Sequence, residues 1–365
     1  MKICHISTVH PRYDVRIFLK ECVSLSKSFK EVHLIIADGL GDEKKNNVQI
    51  HDIGKPKSRK DRFLNFNKLA LSKAKELQAE IYHLHDPELL RIALKLKKIG
   101  AKVIYDSHED LPRQILNKTY IPKIIRNTVS KIVENYENKI SKKLNGIITA
   151  TPHIRERFLK INKTTIDINN FPIIDEIEFN SNWENRTNSI AYIGGIFKTR
   201  GIIESLDAIE NTKIKLILGG FFSPPELEAE CKSHPAWSNV DYRGYLNRQQ
   251  VNQALSEVKA GMVILEATPS YIVSLPVKMF EYMAAGLPVV ASDFPLWKSI
   301  IEENNCGICV DQTNPEEIRE KILQLISSTD EKLIEMGKNG RKAVEVKYNW
   351  QTQEEKLINF YTNSI

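Results

Sequence analysis

The chain has 365 residues, 42% hydrophobic and 27% charged, with a formal net charge of +6. That length suits about two domains with full cores, and the composition excludes a disordered, collagenous or disulfide-stapled protein. No run of apolar residues is long enough for a membrane-spanning helix.

The opening residues, Met1-Lys-Ile-Cys-His-Ile-Ser7, enter a strand-like pattern at once and lack the apolar core of a signal peptide. The five cysteines form no disulfide framework, so a reducing cytosol is expected. Cys306-Gly-Ile-Cys309 has redox spacing but lies in a strand-like run, where packing is the expected role.

In the first half, apolar runs at residues 2–7, 31–37, 48–53, 80–84, 102–106 and 146–150 alternate with helix-period segments. Runs that are apolar on both faces predict a parallel sheet covered by helices. The first loop, Ser7-Thr-Val-His-Pro-Arg-Tyr-Asp-Val-Arg16, leads into a helix running to about residue 27. Pro11 stops the strand and Asp14 is placed to cap the helix. His10, Arg12, Arg16 and Lys20 put polar and positive groups at this strand end, which fits a binding loop or an ordinary capped turn. Two further strand ends are polar: His83-Leu-His-Asp-Pro-Glu88 and Asp106-Ser-His-Glu-Asp110. Alternation puts His83 and His85 on one face. No Cys/His set has zinc spacing, so hydrogen-bonded structure is expected there rather than a metal.

Two stretches of this half are basic. Residues 55–75 hold eight Lys/Arg against Asp61, and residues 118–143 hold seven against Glu134 and Glu137. In the second, Ile121, Ile125, Val129, Ile132, Tyr136, Ile140 and Leu144 recur at helical spacing. Such a face can dock on anionic lipid, or it is a solvated surface over a core stripe; both readings stand. No signature of a nucleic-acid-binding motif accompanies the charge.

Residues 170–188 are polar and aperiodic, and mark a domain boundary: 1–170 before it and 171–349 after, with a terminal helix from about 350. The second half repeats the alternation, with runs at 189–193, 213–218, 239–243, 260–265, 288–292 and 307–310. The expected architecture is α/β, two doubly wound Rossmann-like domains facing a cleft, with ligands at the C-terminal strand ends. Tyr192-Ile-Gly-Gly-Ile-Phe-Lys-Thr-Arg-Gly201 opens the second domain. Gly194 and Gly195 permit close backbone approach beside Lys198 and Arg200, although an ordinary tight turn reads the same way.

The segment with the most chemical content is Ser274-Leu-Pro-Val-Lys-Met-Phe-Glu-Tyr-Met-Ala-Ala-Gly-Leu-Pro-Val-Val-Ala-Ser-Asp293. It reads as a loop, a helix, a Gly-Leu-Pro stop and a buried strand. Lys278 and Glu281 share a helical face near the helix start, where unpaired N–H groups favour phosphate. A cation for diphosphate beside a carboxylate for sugar hydroxyls suggests a nucleotide-sugar pocket. No Asp-x-Asp pair is present to hold a metal on such a ligand.

With residues 10–18, the Asp106–Asp110 loop, Gly-Gly-x4-Arg-Gly (194–201) and Pro-x-Lys-x-Phe-Glu-Tyr-Met-Ala-Ala-Gly-x-Pro (276–288) in this order, the chain resembles family 4 glycosyltransferases. These are retaining enzymes with the GT-B fold. The likeness runs through nearly the whole chain and points to a divergent subgroup with Ser/Asn-x-Pro-x-Lys-x-Phe-Glu-Tyr. The resemblance implies that Glu281 binds the donor ribose and that Arg200 and Lys278 hold its diphosphate. Backbone N–H groups near Gly195 and at Ser274 and Leu275 would assist. Arg243, Gly244 and Tyr245 would lie near the base, and the terminal helix would return to the first domain. His108 matches a cleft histidine that contacts the donor sugar, which makes His108, Arg200 and Lys278 the expected catalytic groups. His10, Arg12, Arg16, Asp86 and Glu109 fall on the acceptor side. Two positions depart from the family pattern: Val273 stands where a first Glu is usual, and Gly195 where Arg is frequent.

The resulting expectation is a metal-independent hexosyltransferase without cofactor. It would move a sugar from a nucleoside diphosphate to a hydroxyl of a glycan or polyprenyl-linked glycan, in bacterial surface-polysaccharide synthesis. Residues 55–75 and 118–143 would hold it on the anionic inner face of the plasma membrane. A non-catalytic donor-binding scaffold and a GT-B epimerase are the alternatives. A dehydrogenase would need a dinucleotide fingerprint that the chain lacks.

Overall fold

The computed structural model describes residues 1–118, 120–180 and 183–365. Thr119, inside the second basic stretch, and Ser181 and Asn182, inside the boundary segment, lie outside the described residues. The chain forms two compact units, Met1–Asn170 with Gln351–Ile365, and Phe171–Trp350.

The first unit is built on β1 (Lys2–Ile6), β2 (Glu31–Ile36), β3 (Glu43–Lys45), β4 (Val48–Asp52), β5 (Ile81–Leu84), β6 (Lys102–Ser107), β7 (Gly146–Thr149) and β8 (Thr165–Asp167). Their order in the sheet is β3-β4-β2-β1-β5-β6-β7-β8. All neighbours run parallel except β3 on β4. β5 and β7 are buried along their whole length, as strands with helices on both faces must be. The terminal helix Trp350–Asn363 buries Leu357, Phe360 and Tyr361 in this unit. Burial of Leu357 and Phe360 contributes roughly 1.5–3 kcal/mol each. Lys356 Nζ pairs with Asp167 at 2.9 Å.

The second unit holds β9 (Ser189–Ile193), β10 (Lys215–Gly219), β11 (Val240–Gly244), β12 (Ala260–Val263), β13 (Val289–Ser292) and β14 (Gly307–Val310), all parallel. The order β11-β10-β9-β12-β13-β14 reverses direction between β9 and β12. In such sheets ligands bind beyond the C-terminal strand ends at that reversal. In the first unit the reversal falls between β1 and β5. One core layer of the second unit gathers Met279, Phe280, Tyr282 and Trp297; the opposite layer gathers Ile202, Leu206, Ile318 and Ile322.

The twelve predicted strands are present, and β3 and β8 are additional. Helix Lys123–Ser141 forms but turns differently from the predicted stripe. Ile140 is buried, whereas Ile125, Ile132 and Tyr136 are exposed, and Ser130, Glu137 and Ser141 face inward instead. Glu137 is tied there by Arg157 at 2.7 Å and Tyr105 at 2.9 Å.

Candidate functional site

In the second unit, the loop after β9 carries Gly194 and Gly195 and leads through the turn Lys198–Arg200 to helix Ile202–Ile209. Gly194 N donates to Gly219 O at 2.8 Å. Gly220, with φ +143°, comes so close that a Cβ there would lie 1.9 Å from Gly194 O. Arg200 stacks over Phe197 and points Nη1 at Gly195 O, 3.4 Å away.

Beyond β12, the loop to helix Val277–Ala284 is pinned by Trp297, whose Nε1 donates to Ser274 O at 2.7 Å. The Ser274 hydroxyl donates to Tyr271 O, and Leu275 packs on the core. Pro276 at the helix N-cap supplies no side-chain acceptor; Met279 N donates to Pro276 O at 3.0 Å, and no side chain caps the N–H groups of Val277 and Lys278. Lys278 sits in that first turn. Its side chain as a whole is half-buried, yet Nζ is shielded from solvent and has no hydrogen-bond partner. The ammonium lies 4.0 Å from the centroid of Tyr192. Burial, with the neighbouring Arg200 charge, pulls it down to about 7. A shielded cation without a partner costs free energy unless an anion completes it. Glu281, one turn on, accepts from Arg248 Nη1 at 2.8 Å.

At the β11 end, the Arg243 guanidinium is taken up by Asp241 at 2.7 Å and Glu257 at 2.5 Å. Gly244 O accepts from Gly220 N. Tyr245 is 67% exposed and stacks on Phe221, itself 64% exposed, at 5.5 Å and 12°. Phe221, Arg248 and Trp297 escape sequence reasoning because no local spacing ties them to Lys278.

In the first unit the guanidinium groups of Arg12 and Arg16 are engaged within the fold. Arg12 Nε and Nη2 donate to Asp38 at 2.8 Å, Nη1 to Glu43 at 2.9 Å and Nη2 also to Gly41 O. Arg16 is buried and chelates Asp106 at 2.9 and 3.0 Å while donating to Ile168 O. Both guanidinium groups therefore hold the fold rather than face an acceptor. Lys20 is likewise engaged, at 2.6 Å from Asn170 Oδ1. Asp14 caps its helix as expected, accepting from Arg16 N and Ile17 N, and the turns of Val15–Cys22 are π-helical.

Asp86 is buried and gathers Thr8 N, Ser7 Oγ and the His10 ring, Nδ1 lying 3.1 Å from Oδ1. Burial pulls His10 down, but the Asp86 hydrogen bond and charge outweigh it and leave the imidazole above its ordinary value. The His10 and His108 rings are 5.0 Å apart. His108 Nε2 lies 3.2 Å from Asp106 Oδ2 and 3.1 Å from His85 Nδ1. Glu109 is exposed and paired with Gln114. The structure thus brings together His10, Asp86 and His108, and sets Arg12 and Glu109 in separate contacts.

Beneath His108 lies a buried group, His5, Glu21, His83, His85 and Asp106. Burial pushes His5 and His83 well below their ordinary value and His85 to about 4. Burial and the Asp106 charge push Glu21 well above the usual carboxylate range. Asp106, against its burial, is held well below that range by Arg16 and His108.

Residues 173–343 match the family described as glycosyl transferases group 1. The match takes in β9 to β14 and both strand-end loops of the second unit. Spore coat protein SA of Bacillus subtilis is 37% identical over 83 residues, 22% of this chain and 22% of the relative, so the chain matches less than a quarter of that protein's length. Among solved structures, sucrose-phosphate synthase from Thermosynechococcus elongatus has a TM-score of 0.79 at 15% identity, covering 99% of this chain and 98% of its own. HepE of Anabaena, solved in complex with UDP, has a TM-score of 0.75 at 13% identity, covering 99% and 100%. The fold is GT-B.

Proposed function

We propose that the chain is a retaining glycosyltransferase of family 4 type. It transfers a hexose from a nucleoside diphosphate to a hydroxyl of a glycan or lipid-linked glycan, in bacterial surface-polysaccharide synthesis. The observation that carries this reading is the shielded, unpartnered Lys278 ammonium beside Arg200 at an uncapped helix start. A diphosphate oxyanion satisfies both features at once. The Arg200 guanidinium supplies the second cation and Gly195 the nearby backbone N–H. Glu281 takes the ribose hydroxyls, its carboxylate aimed by Arg248. The exposed Phe221–Tyr245 pair offers a stacking face for the base.

In the reaction, the bond from the anomeric carbon to the diphosphate oxygen breaks and the acceptor oxygen bonds to that carbon. The acceptor proton passes to a diphosphate oxygen, and the nucleoside diphosphate leaves. Charge grows on the leaving group, where preorganised cations and amides contribute about 2–4 kcal/mol each. Lys278, Arg200 and the helix start meet that charge without a metal ion. His108 serves the donor-sugar step, with His10 and Asp86 on the acceptor side.

The same reading puts the first unit on an anionic membrane surface. Helix Lys123–Ser141 exposes Ile124 at 93% and Ile132 at 62% among its lysines. Phe63 and Leu64, in the other basic stretch, are exposed as well. Arg91 lies 4.3 Å over the Phe63 ring. Large apolar side chains set among cations are complementary to anionic lipid. Ile124→Asp with Ile132→Asp should abolish sedimentation with anionic vesicles, and unchanged sedimentation removes the membrane reading.

The donor site is tested by thermal unfolding with UDP, GDP, ADP and NAD, without metal. Saturation at 100 times the dissociation constant adds about 2.7 kcal/mol of stability. One nucleoside diphosphate should raise the midpoint. A shift with NAD alone, or with none, overturns the reading.

A further inference from the structure

We propose that His5, Glu21, His83 and His85 form a structural site for one divalent transition-metal ion inside the first unit. The site is separate from the sugar-transfer reading and does not depend on it. Its placement follows from the sheet. His5 on β1 and His83 on the adjacent β5 are register partners. His85 follows His83 by two residues, so it returns to the same face. Glu21 comes down on that face from the π-helical segment Val15–Cys22.

Three imidazole nitrogens surround one carboxylate oxygen. Glu21 Oε2 lies 4.0 Å from His5 Nδ1, 3.9 Å from His83 Nδ1 and 3.9 Å from His85 Nε2. One donor atom from each of the four residues falls within 4.8 Å of the others, and all four residues are buried. Tetrahedral sites with bonds near 2.0–2.1 Å separate their donors by roughly 3.3 Å. The carboxylate must therefore close by about half an ångström, and His5 Nδ1 and His85 Nε2, now 2.8 Å apart, must open by a similar amount.

The second observation is that Glu21 is unsatisfied. Neither of its oxygens accepts a hydrogen bond, although Arg16 Nε lies 3.2 Å from Oε1. Oε2, aimed at three imidazoles and taking no hydrogen bond, is costly as protein structure alone, since the Arg16 guanidinium stands on the side of Oε1. An ion bound by Oε2 removes that cost. Three imidazoles and a carboxylate suit zinc, nickel, cobalt or iron rather than magnesium or calcium. The outer contacts also fit. Asp106 Oδ2 lies 3.5 Å from His85 Nδ1 and 3.8 Å from His83 Nε2, a carboxylate on the side of the ring nitrogens that face away from the ion, although His83 Nε2 takes no hydrogen bond as it stands and His85 Nδ1 meets His108 Nε2 at 3.1 Å. Tyr361, 2.7 Å from His83 Nδ1, gives up that hydrogen bond on loading. The ion would tie β1, β5 and the first helix together, while the terminal helix, which carries Tyr361, loses its hydrogen bond to His83.

The test uses the full chain, stripped with chelator and titrated with Co(II) and then Zn(II). The expected result is one Co(II) per chain with tetrahedral visible absorption bands, displaced by Zn(II). Zinc should raise the melting midpoint by roughly 5 °C or more. Glu21→Gln should lose the bands and the shift while melting in chelator no lower than wild type. His234→Ala, which disrupts the surface group of Asp207, Glu210 and His234, should keep them. If Glu21→Gln does not fold, X-ray absorption of the zinc-loaded wild type must show three imidazole nitrogens and one oxygen. Absence of bands and shift would make the four residues a hydrogen-bonded proton network only. Bands that survive Glu21→Gln, or another ligand set, would equally overturn the site.

Discussion

Lys278→Met separates what the donor site gives in stability from what it gives in binding. The ammonium has an ordinary value near 10.5 and stands at about 7 in the folded chain. Above pH 10.5 both states hold it neutral and folding is unaffected. As pH falls from there to 7 the unfolded chain takes up a proton that the folded chain refuses, so stability is lost over this window. The loss amounts to about 2 kcal/mol by pH 9 and about 4 kcal/mol by pH 7. Methionine fills a similar volume without the charge. The variant should therefore exceed wild type by a margin that doubles between pH 9 and pH 7. All four tryptophans, Trp183, Trp237, Trp297 and Trp350, belong to the second unit. Urea unfolding followed by tryptophan fluorescence consequently reads mainly this unit, Trp350 standing at the start of the terminal helix. Nucleoside diphosphate binding to wild type at pH 8 should draw in about one proton, measured by calorimetry in buffers of different ionisation enthalpy. The variant should bind weakly and take up none. A stability margin that is flat between pH 7 and pH 9, or binding to wild type without proton uptake, would refute the argument.

Glu281→Gln should raise the dissociation constant of the cognate nucleoside diphosphate at least tenfold, about 1.4 kcal/mol. The penalty should vanish for a 2′,3′-dideoxy nucleotide, and its persistence there would remove Glu281 from the ribose. Loss of the part-exposed Arg248 pair should change stability by about 1 kcal/mol or less in urea. His108→Ala should leave nucleotide affinity within about twofold and cut transfer at least tenfold, about 1.4 kcal/mol. Full transfer would make His108 a loop residue and no more. Gly220→Ala forces a Cβ against Gly194 O from a φ of +143°. It should destabilise the second unit by about 1–3 kcal/mol and weaken nucleotide binding together; normal values of both would show that the Gly194 loop yields freely.

What the sequence discloses depends on how far apart the deciding partners lie. A strand such as β12 is legible because burial on both faces leaves an unbroken apolar run. β3 and β8 have three residues each at the sheet edges, too short to show a period. The helix Lys123–Ser141 is legible as a helix, yet its face is not. Its inward position is set by Glu137, whose anchors Arg157 and Tyr105 come from other elements. Lys278 and Glu281 are visible because a single helical turn relates them. Arg12 and Arg16 look just as available in sequence, but Asp38, Glu43 and Asp106 reach them from 26, 31 and 90 residues away. Arg243 is similarly claimed by Glu257, 14 residues on. A run of loop cations therefore sets an upper bound on the charge a site can offer. Which of them stays available for a ligand is decided by the carboxylates that the fold brings within about 3 Å, a charge-assisted hydrogen-bond distance. Lys278 Nζ has no such partner, which is why the proposal puts the diphosphate there rather than at the better-populated basic loops.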